Sequence, residues 1–174
     1  MWRSRYPVLL LVVGLSAFTV DATQAAHAEV PCSSSSSEPT SSPTGTPNSL
    51  TFTNRTTANG LAANSLYGVT VSGSNVYVTV SGLSISTDGG STFTTKTTAD
   101  GLASNATYSS VVSGSTLYVA TLSGLSISTN GGNSFINRTT AHGLGSNWVN
   151  SVAVSGSSVY AGTIGGVSVS TDGG

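Results

Sequence analysis

Charge is what this sequence has least of. Only 6% of its 174 residues are Asp, Glu, Lys or Arg, and the net charge is -1. With no basic stripe there is nothing to neutralise a row of phosphates, which excludes nucleic acid as a partner. Ser, Thr and Gly occupy the surface-type positions that Lys and Glu ordinarily take, so solubility rests on hydroxyls. Cys32 is the only cysteine, which excludes an intrachain disulfide. No stretch after residue 50 has helical periodicity. Metal-ligand spacings, phosphate loops and dinucleotide fingerprints are all missing, since the Gly-Gly pairs read as turn residues rather than a strand-to-helix cradle. No metal and no cofactor is expected.

What is present begins with a targeting pattern. Arg3 and Arg5 precede an apolar run from Val8 to Val20, and Ala26-His27-Ala28 places small residues where a signal peptidase reads them. The apolar run is well short of the roughly 20 residues that span a bilayer. Residues 1–28 therefore read as a cleaved signal peptide, with a retained anchor as the alternative, and no membrane span is expected after cleavage. Lipidation of Cys32 is a further alternative, but Val30-Pro31 stands where a lipobox has a small residue. Residues 29–49 are Ser/Thr/Pro-rich and too polar to order themselves, a linker. The expected location is secreted or in the cell envelope. Asn54, Asn105 and Asn137 each open an Asn-x-Thr glycosylation pattern, the first and third as a by-product of the repeat described next.

Residues 50–174 repeat. Thr56-Thr57-Ala58-Asn59-Gly60-Leu61 recurs as Thr97-Thr98-Ala99-Asp100-Gly101-Leu102 and as Thr139-Thr140-Ala141-His142-Gly143-Leu144, at offsets of 41 and 42 residues. Tyr77, Tyr118 and Tyr160 keep those offsets, whereas Asp88, Asn130 and Asp172 are spaced 42 and 42. One residue has therefore been gained or lost between Tyr77 and Asp88. A fixed period near 40 signals stacked supersecondary units. Within each unit apolar residues alternate with small polar ones, as in Val69/Val71, Val76/Val78/Val80 and Leu83/Ile85, and Ser-Gly-Ser turns separate two alternating runs. A fourth strand is expected over Phe93 to Thr97 and again over Phe135 to Thr139. Four short antiparallel strands per unit make an all-β chain of β-propeller blades, ending near 93, 135 and 174.

The turn between the third and fourth strands carries a motif. Ser86-Thr87-Asp88-Gly89-Gly90-Ser91-Thr92-Phe93 resembles the Asp-box, or sialidase-type BNR repeat, Ser-x-Asp-x-Gly-x-Thr-Trp, with Phe93 in place of Trp. The second copy has Ser128, Asn130, Gly132, Ser134 and Phe135 at the motif positions; the third has Ser170, Asp172 and Gly174. The resemblance implies a propeller in which the box is a structural turn lock on the face opposite the ligand site. The carboxylate would accept backbone N–H bonds and the aromatic would plug the core. Gly101-Leu102-Ala103-Ser104-Asn105 followed by Leu117 to Thr121 and Gly124-Leu125 is also similar to the two-component-regulator propeller repeat, whose propellers form sensing heads.

Asp-box propellers include glycosidases, which need paired carboxylates. After the predicted cleavage the acids are Glu29, Glu38, Asp88, Asp100 and Asp172, two near the linker and two in boxes. No two-carboxylate mechanism assembles from these, and no arginine cluster accompanies them. Arg55 and Arg138 each follow a strand aromatic by three residues, as a repeat feature. His142 replaces Asn59 and Asp100 at one turn position, which reads as solvated rather than catalytic. No catalytic residue is therefore assigned, and the expectation is a binding or scaffold module for a glycan or protein ligand. Its candidate contacts are Asn64, Tyr67, Asn105, Tyr108, Asn147 and Trp148, amides and rings of the types that bond and stack on sugars, together with the neighbourhoods of Thr79, Thr121 and Thr163. The alternatives are a piece of a larger sialidase-like hydrolase or of a sensor propeller. Three blades fall below the four to eight of known propellers. Leu50 to Thr56 reads as a spare fourth strand and the third unit lacks one, so closure is expected within a longer chain or by strand exchange between two copies, a homodimer of six blades.

Overall fold

The structure is a computed structural model and describes residues 51–174; the predicted signal peptide and linker, with Cys32, lie outside the described residues. The alternation in each unit folds as expected, into antiparallel meanders. The first blade contains β1 (Gly68–Ser72), β2 (Asn75–Val80), β3 (Gly82–Ser86) and β4 (Thr94–Lys96), hydrogen-bonded in that order. The second repeats it with β5 (Thr107–Ser113), β6 (Thr116–Thr121), β7 (Gly124–Ser128) and β8 (Ile136–Arg138). The third has β9 (Val149–Ser155), β10 (Ser158–Thr163) and β11 (Gly166–Ser170), so β11 is an edge strand among the described residues. The chain is all-β with propeller-type blades.

The residue gained between units sits in the turn after the second strand: Val80 pairs with Gly82 across Ser81 alone, whereas Thr121 pairs with Gly124 across Leu122 and Ser123. In the second and third blades the first strand also carries a bulge, at Thr107/Ser109 and opposite Gly162/Thr163. The expected strand over Leu50 to Thr56 is not formed; no strand is assigned to residues 51–56. A strand exists only as one side of a ladder, and among the described residues no third strand stands beside this segment.

The blades stack through their inner strands, β1 beside β5 and β5 beside β9. Two apolar clusters form the core, one at each blade junction. Tyr77, Leu83 and Ile85 of the first blade meet Leu102, Leu117 and Val119 of the second. One repeat later Tyr118, Leu125 and Ile127 meet Val149, Val152, Val159 and Ala161. Because strand side chains alternate, each blade has a leading face built on its Tyr and β3-type residues and a trailing face built on the flanking Val, Leu or Ala. Polar seams complete the first junction. Thr107 Oγ1 accepts Val80 N (3.0 Å) and donates its one proton to Gly82 O (2.7 Å), with Val80 O (3.1 Å) as the alternative acceptor.

Candidate functional site

The two ends of the blades differ in chemistry. One end holds the loops between the third and fourth strands, which are the Ser-x-Asp/Asn-x-Gly turns. Asp88 Oδ1 accepts Ser91 N (2.9 Å) and Thr92 N (3.0 Å), Oδ2 accepts Thr92 Oγ1 (2.6 Å), and Ser86 Oγ donates to Asp88 Oδ1 (2.6 Å) while accepting Gly90 N (2.8 Å). These donors, led by the Ser86 hydroxyl, hold the Asp88 carboxyl well below the usual carboxylate range. Asn130 keeps the same frame without charge: its Oδ1 accepts Ser134 N (3.0 Å) and its Nδ2 donates to Ser134 Oγ (2.8 Å). Asp172 is bonded by Ser170 Oγ and by Gly174 N, the former chiefly lowering its pKa. Phe93 and Phe135 pack against Gly90 and Gly132 respectively. The first-to-second strand turn docks on the same end, Gly89 N donating to Ser74 O (3.0 Å).

Arg55 and Arg138 act between blades. Arg55 Nε donates to Gly90 O (3.0 Å) and Arg138 Nε to Gly174 O (2.6 Å), each arginine holding the box of the following blade. Lys96, at the same repeat position, pairs instead with Asp100 at 3.6 Å.

The opposite end holds the loops leading into each first strand and the turns between second and third strands. Each loop starts with a short 3-10 turn: Thr57–Asn59, Thr98–Asp100 and Thr140–His142. The variable third residue closes each one. Asn59 Oδ1 accepts Thr56 N (3.1 Å), Asp100 Oδ2 accepts Thr97 N (2.9 Å), and His142 Nδ1 accepts Thr139 N (3.2 Å). Asn, Asp and His thus share one capping task, and the Thr97 N–H is the main reason Asp100 titrates below its ordinary value.

The candidate asparagines are tied into these loops. Asn64 Oδ1 accepts Thr57 N (3.0 Å), Asn105 Oδ1 accepts Thr98 N (2.8 Å) and Asn147 Oδ1 accepts Thr140 N (2.7 Å). Their carbonyl oxygens therefore serve the fold. The nearby threonines are committed as well: Thr79 Oγ1 donates to Tyr108 O (3.3 Å), Thr121 Oγ1 to Gly124 O (2.8 Å) and Thr163 Oγ1 to Gly166 O (2.9 Å).

The candidate aromatics are brought together. Tyr67 and Tyr108 lie edge to face at 5.8 Å, and Tyr108 stacks on Trp148 at 6.3 Å with an interplanar angle of 22°. One ring per blade forms a strip across three blades, with Tyr67 and Trp148 exposed. Leu66, Leu122 and Ile164, exposed in neighbouring loops and turns, were not singled out by the sequence; their positions beside turn residues gave no signal of a shared end. The strip is not a simple copy of the repeat. Counted from Asn64, Asn105 and Asn147, the position of Tyr67 and Tyr108 is Asn150 in the third unit, and Trp148 supplies the ring from two residues earlier.

No protein-family model and no curated protein matches this sequence. Among solved structures, an ancestral GH74 enzyme is similar at a TM-score of 0.49 and 22% identity, over 64% of this chain and 18% of that one. The computationally designed Ika4 protein is similar at a TM-score of 0.47 and 14% identity, over 60% of this chain and 64% of that one. The chain thus spans under a fifth of the first protein's length and under two thirds of the second's.

Proposed function

We propose that this chain is an exported, non-enzymatic binding module built from Asp-box-type blades, and that it takes carbohydrate on the end carrying Tyr67, Tyr108 and Trp148. One observation carries the reading: the third blade places a ring in the strip from a position that the repeat does not provide. Trp148 and Tyr67 flank Tyr108 and stay exposed themselves, and exposed rings of this kind offer surface on which the apolar C–H side of a sugar stacks. The Nδ2 groups of the nearby asparagines, which make no hydrogen bond among the described residues, and the hydroxyls of the loops supply polar contacts of the kind that fix orientation. Asp88, Asp100 and Asp172 are each bonded into turns, which supports binding over a two-carboxylate hydrolysis. Export rests on Arg3, Arg5 and Ala26-His27-Ala28; mass spectrometry of a mature N-terminus beginning at Glu29 supports it, and soluble protein retaining Met1 to Ala28 refutes it.

The test is a glycan array followed by titration of the captured glycan. Trp148→Ala and Tyr67→Ala are expected to weaken binding about tenfold or more, since a buried aromatic contact in a binding site is worth upwards of about 1.4 kcal/mol. An array with no captured glycan, or a glycan bound equally by Trp148→Ala, overturns the carbohydrate reading. Turnover of fluorogenic glycosides by the purified chain overturns the non-enzymatic one.

A further inference from the structure

Two asparagines in this sequence are followed directly by glycine, Asn59 and Asn130. Such a pair exposes the side-chain amide to attack by the next main-chain nitrogen, because glycine brings no Cβ to crowd the approach. The fold treats the two pairs differently. At Asn59 the attacking group is occupied, since Gly60 N donates to Thr57 O (3.1 Å), and Phe93 N pins the intervening peptide by donating to Asn59 O (2.8 Å). At Asn130 it is free. Gly131 N makes no hydrogen bond among the described residues, although its counterparts Gly89 N and Gly173 N donate to Ser74 O (3.0 Å) and Ser157 O (2.9 Å). A Cβ built on Gly131 would meet nothing within 4 Å, so this stretch of backbone also has room to move. Asn130 and Gly131 are both exposed to water.

The carbonyl under attack is prepared as well. Asn130 Oδ1 accepts hydrogen bonds from Ser134 N (3.0 Å) and Ser128 Oγ (2.9 Å), whereas Asn59 Oδ1 accepts only Thr56 N (3.1 Å) among the described residues. Donors on a carbonyl oxygen stabilise the negative charge that develops there when its carbon is attacked. The same frame fits the product. In the first blade Asp88 Oδ2 accepts Thr92 Oγ1 (2.6 Å), while Oδ1 accepts Thr92 N (3.0 Å) and Ser86 Oγ (2.6 Å). In the second, Ser134 Oγ accepts from Asn130 Nδ2 (2.8 Å), and a hydroxyl can turn its proton to donate instead. That rotation is all the neutral lock needs in order to hold a carboxylate.

We propose that Asn130 is a spontaneous modification site: it deamidates to aspartate in the folded chain, ahead of Asn59, and gives the second turn lock the charge that Asp88 gives the first. The deprotonated Gly131 nitrogen bonds to Asn130 Cγ, the Cγ–Nδ2 bond breaks, and Nδ2 leaves as ammonia. A cyclic imide remains. Water then adds to Cγ, the bond from Cγ to the Gly131 nitrogen opens, and that nitrogen takes back a proton, so the main chain is restored and the side chain ends as a carboxylate. Water has replaced ammonia, with nothing oxidised or reduced. Addition to the main-chain carbonyl carbon instead gives an isoaspartyl linkage, which inserts a methylene into the turn. That lengthens the path between Ser128 and Gly132, which Ser128 Oγ holds closed by accepting Gly132 N (2.8 Å). The aspartyl product leaves this bond in place, so the frame favours it over the isoaspartyl one.

The test is incubation of the purified full chain at mildly alkaline pH, followed by peptide mapping with mass spectrometry that separates aspartyl from isoaspartyl products. Asn130 is expected to convert about tenfold or more faster than Asn59, the factor in rate that one or two hydrogen bonds of ordinary strength control. Its product is expected to be mainly aspartyl. In the chain unfolded by urea the two pairs are expected to convert at like rates with more isoaspartyl product, since only the fold distinguishes them. Asn130→Asp is expected to match the aged protein on isoelectric focusing and in melting temperature. Absent conversion at position 130, equal rates at the two asparagines in the folded chain, a mainly isoaspartyl product there, or the same preference surviving in urea overturns the proposal.

Discussion

A single carboxylate shows how much one side chain organises here. Asp88 gathers the Ser86 and Thr92 hydroxyls and the Ser91 and Thr92 N–H groups, which depresses its pKa below the ordinary value of 3.8. A group whose folded pKa is depressed contributes stability that is present above its unfolded pKa and lost as pH falls toward the folded one. Asp100 and Asp172 are shifted in the same direction. The melting temperature is therefore expected to hold from neutral pH down to about 4, near the unfolded Asp value, and to fall below it. Asn130 already provides the uncharged form of the lock, so Asp88→Asn is expected to fold and to show a shallower acid decline. Thermal melts from pH 6 to 2 check this; an unchanged acid slope in the variant would remove Asp88 from the explanation.

At the scale of elements, the loop and the tight turn set the geometry. Asn105 gives Thr98 N its acceptor, and Asn105→Ala leaves that N–H to water, at an expected cost of about 1 kcal/mol in denaturant unfolding. Because the same loop carries Tyr108, the variant is also expected to weaken ligand capture, which an Ala substitution acting on stability alone would not do at low temperature. Gly82 is a sharper constraint. It sits at φ 99°, and an added Cβ would lie 2.5 Å from the Lys96 carbonyl oxygen. Gly73, at φ 60° in an open hairpin turn, meets nothing within 4 Å. Gly82→Ala is expected to cost more than the roughly 1–3 kcal/mol of left-handed backbone strain alone, and Gly73→Ala only that strain. Equal midpoints for the two variants would contradict the close approach between β3 and β4.

For the whole molecule, stability lies at the blade junctions, since each blade touches only its neighbours. Leu83 is fully buried at the first junction, and Leu83→Ala is expected to cost about 2–5 kcal/mol. Val167 holds the equivalent position in the third blade and is exposed, so Val167→Ala is expected to leave stability nearly unchanged. Denaturant unfolding of the two variants side by side separates the positions. Equal losses in both would contradict the burial of Leu83 at the junction.

The sequence by itself determined the local order. Period-2 alternation of apolar with small polar residues gave β1 to β3 and their equivalents, although in β3 and β7 the small polar residues are buried as fully as the apolar ones. Ser-Gly-Ser marked the hairpins, the slip in spacing located the extra residue of the second turn, and Ser-x-Asp-x-Gly gave the turn lock. Those features depend on neighbours within a few residues. The tertiary structure decided what depends on distant partners. The residues after Leu50 have the composition of a fourth strand but form none, because a strand needs a third strand beside it. Asn64, Asn105 and Asn147 looked free to bind a ligand, yet the chain folds back seven residues to put Thr N–H groups on their oxygens. Tyr67, Tyr108 and Trp148 hold unequal places in the repeat and meet only because successive blades stack. Whether Tyr160, Val167 and Val169 form core or surface is likewise fixed by the presence of a following blade, since identical alternation is buried in two units and open in the third.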